Sequence, residues 1–160
     1  MPTAKGGAPQ YSAAIVRALQ DIDLEAVLAI AQDSPEAANW SRESYLELLR
    51  ESGALGLVWE DSGAVAGFLI GRVVADQAEL LNLAIQENRR RRGGATALLL
   101  SALENFRARG AQSVYLEVRQ SNDAAIAFYL KHGFAISGRR RAYYSVPLED
   151  AVVMSKKLTA

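Results

Sequence analysis

The chain has 160 residues, half of them apolar and 22% charged, the balance of a folded globular protein and not of a disordered one. Its 18 basic and 18 acidic residues cancel, so no global field draws it to nucleic acid or anionic lipid. It has no cysteine, which excludes disulfides, thiolate metal sites and a cysteine nucleophile, and which suits a reducing compartment. No apolar run approaches the roughly 18–20 residues of a membrane helix, and the opening MPTAKGGAPQ lacks the apolar stretch of a secretory signal. The expectation is a cytoplasmic protein with no membrane partner, a flexible leader over residues 1–10, and one domain over residues 11–160.

Ile15, Val16 and Leu19 suggest a short strand running into a turn at Asp21–Asp23. Leu24, Val27, Leu28 and Ala31 then recur at helical spacing before Ser34-Pro35. A second helix opens at Trp40-Ser41, with Ser41 as N-cap, Glu43 in its first turn and Tyr45, Leu48 and Leu49 facing inward. The period then changes. Leu55, Leu57 and Trp59 alternate, Asp61-Ser62-Gly63 supplies a turn, and Val65–Val74 returns as a strand; Leu80–Ile85 is short enough for a buried strand. Thr96–Arg109 reads as a helix ended by Gly110, Val114, Leu116 and Val118 as a strand, and Asn122–His132 as a helix closed by Gly133. Two more strands are expected near Phe134–Arg141 and Ala151–Leu158. The order implies an α/β fold, a mixed and largely antiparallel central sheet of about seven strands flanked by about four helices.

The run Arg89-Arg90-Arg91-Arg92-Gly93-Gly94-Ala95-Thr96 lies between a buried strand and an amphipathic helix. Glycines let backbone amides approach a ligand, and a helix N-terminus adds unpaired N–H donors and positive potential. A pyrophosphate fits such a place. The spacing is neither that of a dinucleotide fingerprint nor that of a P-loop, and a solvated basic run beside an ordinary turn is the alternative.

Context decides between them. Arg90–Ala95, read as R-x-x-G-x-A, follows Glu79-Leu80-Leu81-Asn82-Leu83-Ala84-Ile85 and precedes Thr96-Ala97-Leu98-Leu99. This resembles the acetyl-CoA motif of the GCN5-related N-acetyltransferase (GNAT) superfamily. Leu116–Asn122 and Ala127-Phe128-Tyr129 through Gly133-Phe134 resemble its second signature. Trp40-Ser41, Arg140–Tyr144, Glu149-Asp150-Ala151 and Met154 narrow the resemblance to the bacterial branch that acetylates the N-terminal alanine of a ribosomal protein. The resemblance implies a GNAT-like sheet and acetyl-CoA as acetyl donor. Leu83, Ala84 and Ile85 would face the acetyl and pantetheine portion; Arg91, Arg92, Gly93, Gly94, Ala95 and Thr96 would wrap the pyrophosphate; Asn122 would contact the cofactor. The chain departs from the pattern at Gly94-Ala95, where relatives carry a bulky apolar residue and then glycine. A looser loop and weaker cofactor affinity are the expectation there.

Acyl transfer to an amine poses two proton problems. A peptide α-amine has a pKa of ~7.7–8.0 and is mostly ammonium at pH 7, so a base must collect its proton; the departing thiolate needs a donor, a role open to a phenol of pKa ~10. The resemblance assigns Glu117 as proton acceptor and Tyr129 as proton donor. An ordinary Glu, with pKa about 4.3, is weak for this, so either apolar surroundings raise it or water relays the proton. Without cysteine, direct attack in a ternary complex is favoured over an acyl-enzyme. His132, in the last turn of a helix, reads as structural; one histidine and no cysteine leave no metal site.

Tyr143 and Tyr144, with Trp40, are candidates for the acceptor side, and Arg139–Arg141 read as surface. The expected partner is a protein or peptide N-terminus, in the branch that of a ribosomal small-subunit protein, and the enzyme a monomer or weak dimer. A lysine side chain or a small amine as acceptor keeps the same fold and cofactor. A non-catalytic module using Arg89–Arg92 on RNA is opposed by the zero net charge and the missing aromatic-and-basic pattern, so no direct nucleic-acid binding is expected.

Overall fold

The computed structural model describes residues 14–158; the leader expected over residues 1–10 lies outside the described residues. In chain order the elements are β1 (Ile15–Ala18), α1 (Leu24–Gln32), α2 (Arg42–Leu49), β2 (Ala54–Asp61), β3 (Ala64–Val74), β4 (Gln77–Ile85), α3 (Gly94–Ala108), β5 (Ser113–Arg119), α4 (Asp123–Lys131), β6 (Ala135–Ser145) and β7 (Leu148–Lys157). The strands form one seven-stranded sheet in the order β1-β2-β3-β4-β5-β7-β6, antiparallel except for the β4–β5 pair. The mixed α/β architecture with four helices is the one the sequence pattern implies.

Local chemistry explains the element ends. Ser41 Oγ accepts from the Ser44 amide at 3.2 Å and caps α2. Gly110, at φ +92°, carries the chain out of α3. Before α1, the turn at Asp21–Asp23 is a 3-10 helix, fixed by Asp23, whose carboxylate accepts from Arg17 twice, at 2.8 and 2.9 Å, and from the Gln20 amide at 2.8 Å.

Both faces of the sheet are covered. On one, α3 buries Leu98, Leu99, Ala102 and Phe106 against Leu55, Leu57, Trp59 and Leu69. On the other, α1 and α2 bury Leu24, Val27 and Tyr45 against Val58, Phe68 and Ile70. Phe68, Leu69 and Ile70 are consecutive and all fully buried, as a central strand packed on both sides requires.

One discontinuity shapes the middle of the sheet. β4 and β5 pair in parallel at only Gln77↔Ser113, Ala78↔Val114 and Glu79↔Tyr115, although β4 runs on to Ile85 and β5 to Arg119. Beyond those rungs the strands part, and a wedge opens in the middle of the sheet. A second irregularity lies in β6. Its expected end near Arg141 and the expected start of β7 near Ala151 both fall short, for the hairpin continues to Ser145 and Leu148. Between Arg140↔Ala151 and Tyr144↔Glu149 β6 carries extra residues as a bulge. Ala142 sits there at φ +50°, its amide bonded to Asp150 Oδ1 at 2.8 Å. A bulge breaks the period-2 pattern from which a strand is read, which is why the sequence shortens this hairpin.

Candidate active site

The wedge is flanked by two cavities. The first, of about 470 Å³, lies between the end of β4 and the starts of α3 and α4, and Leu83, Ala84, Ile85, Arg91, Gly93, Gly94, Ala95, Thr96, Asn122 and Tyr129 all line it. Two helix N-termini therefore face one cavity. Gly93, at φ +83°, precedes α3, and Asn122 Oδ1 caps α4 by accepting from the Ala125 amide at 3.1 Å. Unpaired first-turn amides and the positive ends of both dipoles favour an anion here. A Cβ built on Gly93 would meet nothing within 4 Å, so the turn is open to a ligand from that side.

The arginine run is less available than the sequence suggests. Arg92, expected at the pyrophosphate, does not line the cavity; its guanidinium lies 3.1 Å from Asp61 Oδ2, which Arg89 also holds at 3.0 Å. Arg89 foremost, and then Arg92, keeps the Asp61 carboxyl below the usual carboxylate range. Two of the four positive charges are thus spent on tying the turn to the end of β2. Arg90 donates from Nε to the Ile85 carbonyl at 3.3 Å, and Arg91 takes the left-handed backbone region at φ +64°.

The looser loop expected at Gly94 is not what the structure builds. A side chain at 94 would collide with the Trp59 ring, whose Cε3 lies 2.6 Å from the position of such a Cβ. The volume is filled from β2 instead. His132, read as structural, does not line the cavity but supports two residues that do: its Nε2 lies 3.3 Å from Thr96 Oγ1, and its ring packs edge-on against Phe128 at 4.8 Å.

The second cavity, of about 650 Å³, opens on the other side of the wedge, lined among others by Trp40, Glu79, Glu117, Arg140, Tyr143 and Tyr144. The three aromatics singled out for an acceptor groove are together here. Arg140, read as surface, is part of the wall: its Nε lies 3.0 Å from Glu117 Oε1. The Tyr143 phenol is raised above its ordinary value, foremost by the neighbouring Glu117 carboxylate. For Tyr144 burial comes first and the nearby Glu117 charge second, again raising it. Glu117 therefore stands among charged and hydroxyl groups, not in the apolar surroundings that one sequence-based route to a stronger base required.

Glu117 and Tyr129 thus face different cavities of one wedge. Tyr129 is buried at the first cavity, and burial drives its phenol well above the usual range. Two further contacts hold the halves together, both absent from the sequence reading. Asn82, nearly fully buried on β4, donates from Nδ2 to the Ala38 carbonyl at 3.1 Å and to Tyr45 Oη at 3.2 Å, and accepts from the Ala38 amide at 3.3 Å. It straps the α1–α2 connection across the wedge, so that Ala37 lines the first cavity and Ala38 and Trp40 the second. Its signal was visible as the single polar residue in Leu80-Leu81-Asn82-Leu83. Arg119, at the end of β5, donates to the Val146 and Pro147 carbonyls at 3.1 and 3.2 Å and lies 4.2 Å from the Tyr144 ring centroid. It latches the hairpin bearing Tyr143 and Tyr144 to the strand bearing Glu117.

Among the described residues no group of three or more His, Cys, Asp or Glu side chains converges as a metal site, and no helix is long and apolar enough to cross a membrane. The profile of the Acetyltransferase (GNAT) family matches residues 19–134. The ribosomal protein bS18-alanine N-acetyltransferase of Escherichia coli (strain K12) is 35% identical over 142 residues, 88% of this chain and 95% of that relative. An N-alpha-acetyltransferase of Sulfurisphaera tokodaii is 32% identical over 133 residues, covering 75% and 79%. The crystal structure of the ribosomal-protein-S18-alanine N-acetyltransferase from Escherichia coli superposes with a TM-score of 0.82 at 32% identity, over 92% of this chain and 96% of that one. With the wedge, the paired helix N-termini and these relatives in agreement, the chain belongs to the acetyltransferase (GNAT) family and is an acetyl-CoA-dependent N-acetyltransferase.

Proposed function

We propose that this enzyme acetylates the α-amine of a protein N-terminus, with the N-terminal alanine of a ribosomal small-subunit protein as its acceptor. Two relatives over 30% identical support the α-amine: one is named for the alanine of ribosomal protein bS18 and the other as an N-alpha-acetyltransferase. The observation that carries the reading is the division of the wedge. One side presents helix N-termini for a pyrophosphate, the other a carboxylate among aromatic side chains for an amine.

Acetyl-CoA supplies an activated acyl carbon and a thiolate leaving group. The amides of Gly94, Ala95 and Thr96 and the Asn122 end of α4 hold its pyrophosphate, while the end of β4 at Leu83, Ala84 and Ile85 aligns the arm that enters the wedge. On the acceptor side Tyr143 and Tyr144 flank the incoming chain end, and Glu117 accepts the ammonium proton, directly or through water. The attack is direct, within a ternary complex. Tyr129 keeps its proton on Oη, since its phenol is a weaker acid than a thiol of pKa about 8.5. It therefore serves the departing sulfur mainly as a hydrogen-bond donor.

Mass spectrometry with acetyl-CoA and two peptides tests this. One has a free N-terminal alanine and no lysine; the other has a blocked N-terminus and an internal lysine. Acetylation of the first alone is expected, and acetylation of the second alone would move the acceptor to lysine.

A further inference from the structure

The turn assigned to the pyrophosphate rests on β2, and the contact is unusually close. A Cβ placed on Gly94 would lie 2.6, 2.7 and 2.8 Å from Cε3, Cδ2 and Cζ3 of Trp59. Trp59 itself is only 2% exposed, so its indole has nowhere to retreat. Backbone conformation does not demand glycine here: Gly93 has a positive φ, but Gly94 is not among the glycines that do. Space alone forbids a side chain at 94, and the indole takes that space. Two residues along β2, Asp61 grips Arg89 and Arg92 on the near side of the same turn.

We infer that Trp59, seated against Gly94, is a positioning residue for the coenzyme: it sets where the first-turn amides of α3 stand and hence how well the pyrophosphate is held. This rests on the reading that the pyrophosphate of acetyl-CoA lies at Gly93–Thr96. The Trp59–Gly94 contact replaces side-chain bulk in the turn with side-chain bulk in the strand. The two positions should therefore be exchangeable in volume but not alterable singly. An indole that served only as core would, when truncated, lower stability without distinguishing coenzyme from peptide.

The experiment has two arms. In the first, coenzyme A binding is measured by calorimetry, and peptide KM by initial rates, for Trp59→Val, Gly94→Leu and the double variant. Crowding or hollowing a packed contact of this kind costs enough to weaken coenzyme A binding roughly tenfold in each single variant. Peptide KM should stay near the parent value, and the double variant should recover most of the lost affinity. Single variants that bind coenzyme A normally, or a double variant as weak as the product of the two singles, would overturn the inference. Gly93→Val and Thr96→Val serve as controls. If these weaken coenzyme A binding while the Trp59 and Gly94 variants do not, the site stands and the role of Trp59 fails; if none of them does, both fail.

The second arm leaves positions 59 and 94 intact, so it does not depend on those variants folding. The chain has two tryptophans, and Trp40→Phe leaves Trp59 as the sole indole. Saturating coenzyme A should shift or quench its emission. Unchanged emission at saturation would separate Trp59 from the coenzyme and overturn the inference.

Discussion

Arg140 Nε and Glu117 Oε1 are 3.0 Å apart, the arginine side chain 61% exposed and the glutamate 25%. The carboxylate is fixed on β5, whereas its partner sits on a bulged edge strand and can swing into solvent. In the proposed mechanism an incoming α-ammonium seeks the same carboxylate. Arg140 would then hold the acceptor's electrostatic place in the free enzyme, and the amine would have to displace it. Exposed pairs of this kind are worth ~0–1 kcal/mol, so displacement is cheap. Arg140→Gln should lower peptide KM by no more than about fivefold, the factor equivalent to ~1 kcal/mol, and leave coenzyme A binding unchanged. Steady-state rates over a range of peptide concentrations decide it; a rise in peptide KM would instead make Arg140 a contact to the acceptor.

The two halves of the wedge predict different kinetic lesions. Glu117→Gln should lose most activity near neutral pH, and Tyr129→Phe should slow turnover roughly 100-fold, the lower range for loss of one hydrogen-bond donor to a developing anion. In neither should coenzyme A affinity move appreciably. Tyr129 also carries an alkaline signature. Burial raises its folded pKa above the ordinary value of 10.0, so its contribution to stability is complete below pH 10 and is lost as pH rises through the folded value. Thermal melts between pH 9 and 11 should show less alkaline loss in Tyr129→Phe than in the parent.

At low pH the informative group is Asp23. Arg17 foremost, and the Gln20 amide in addition, hold its carboxyl below the ordinary 3.8. A depressed folded pKa stabilises above the unfolded value and ceases to do so as pH falls through the folded one. Asp23→Asn should therefore melt lower than the parent at pH 7, with the gap closing below about pH 3.8. A gap independent of pH would mean that the turn at residues 21–23 depends on shape and not on this ion pair.

The order of strands and helices was legible because each element repeats one period: Leu55, Leu57 and Trp59 by two, Leu99, Leu103 and Phe106 by helical turns. The glycine turn and helix start at the first cavity were legible because they are adjacent in sequence. What escaped depends on partners far apart in the chain. Nothing local to Gly94 reveals that Trp59 fills its space, and nothing in a run of four arginines reveals that Asp61, 28 residues before Arg89, holds two of them. Arg140 is exposed, as its surface reading implies, but its pairing with Glu117 on another strand has no local signature. The parting of β4 from β5 is likewise a property of the pairing and not of either strand.

Asn82 offers the test that joins stability to activity. Its amide is the only link found between the wedge strand β4 and both the Ala38 backbone and Tyr45 Oη among the described residues. Ala38 is half-buried and can turn to water, but Tyr45 is fully buried. Asn82→Leu therefore leaves the Tyr45 hydroxyl without a partner, at a cost of ~1–3 kcal/mol. The strap over the wedge is released at the same time, so both peptide KM and coenzyme A affinity should worsen while the chemical step changes little. Tyr45→Phe in the Asn82→Leu background should then cost much less stability than in the parent, because the hydroxyl it removes has already lost its bond. Denaturant titrations of the four proteins give the coupling directly. Strictly additive losses would show that the two side chains act independently, and the strap would have to be assigned to the Ala38 backbone bonds alone.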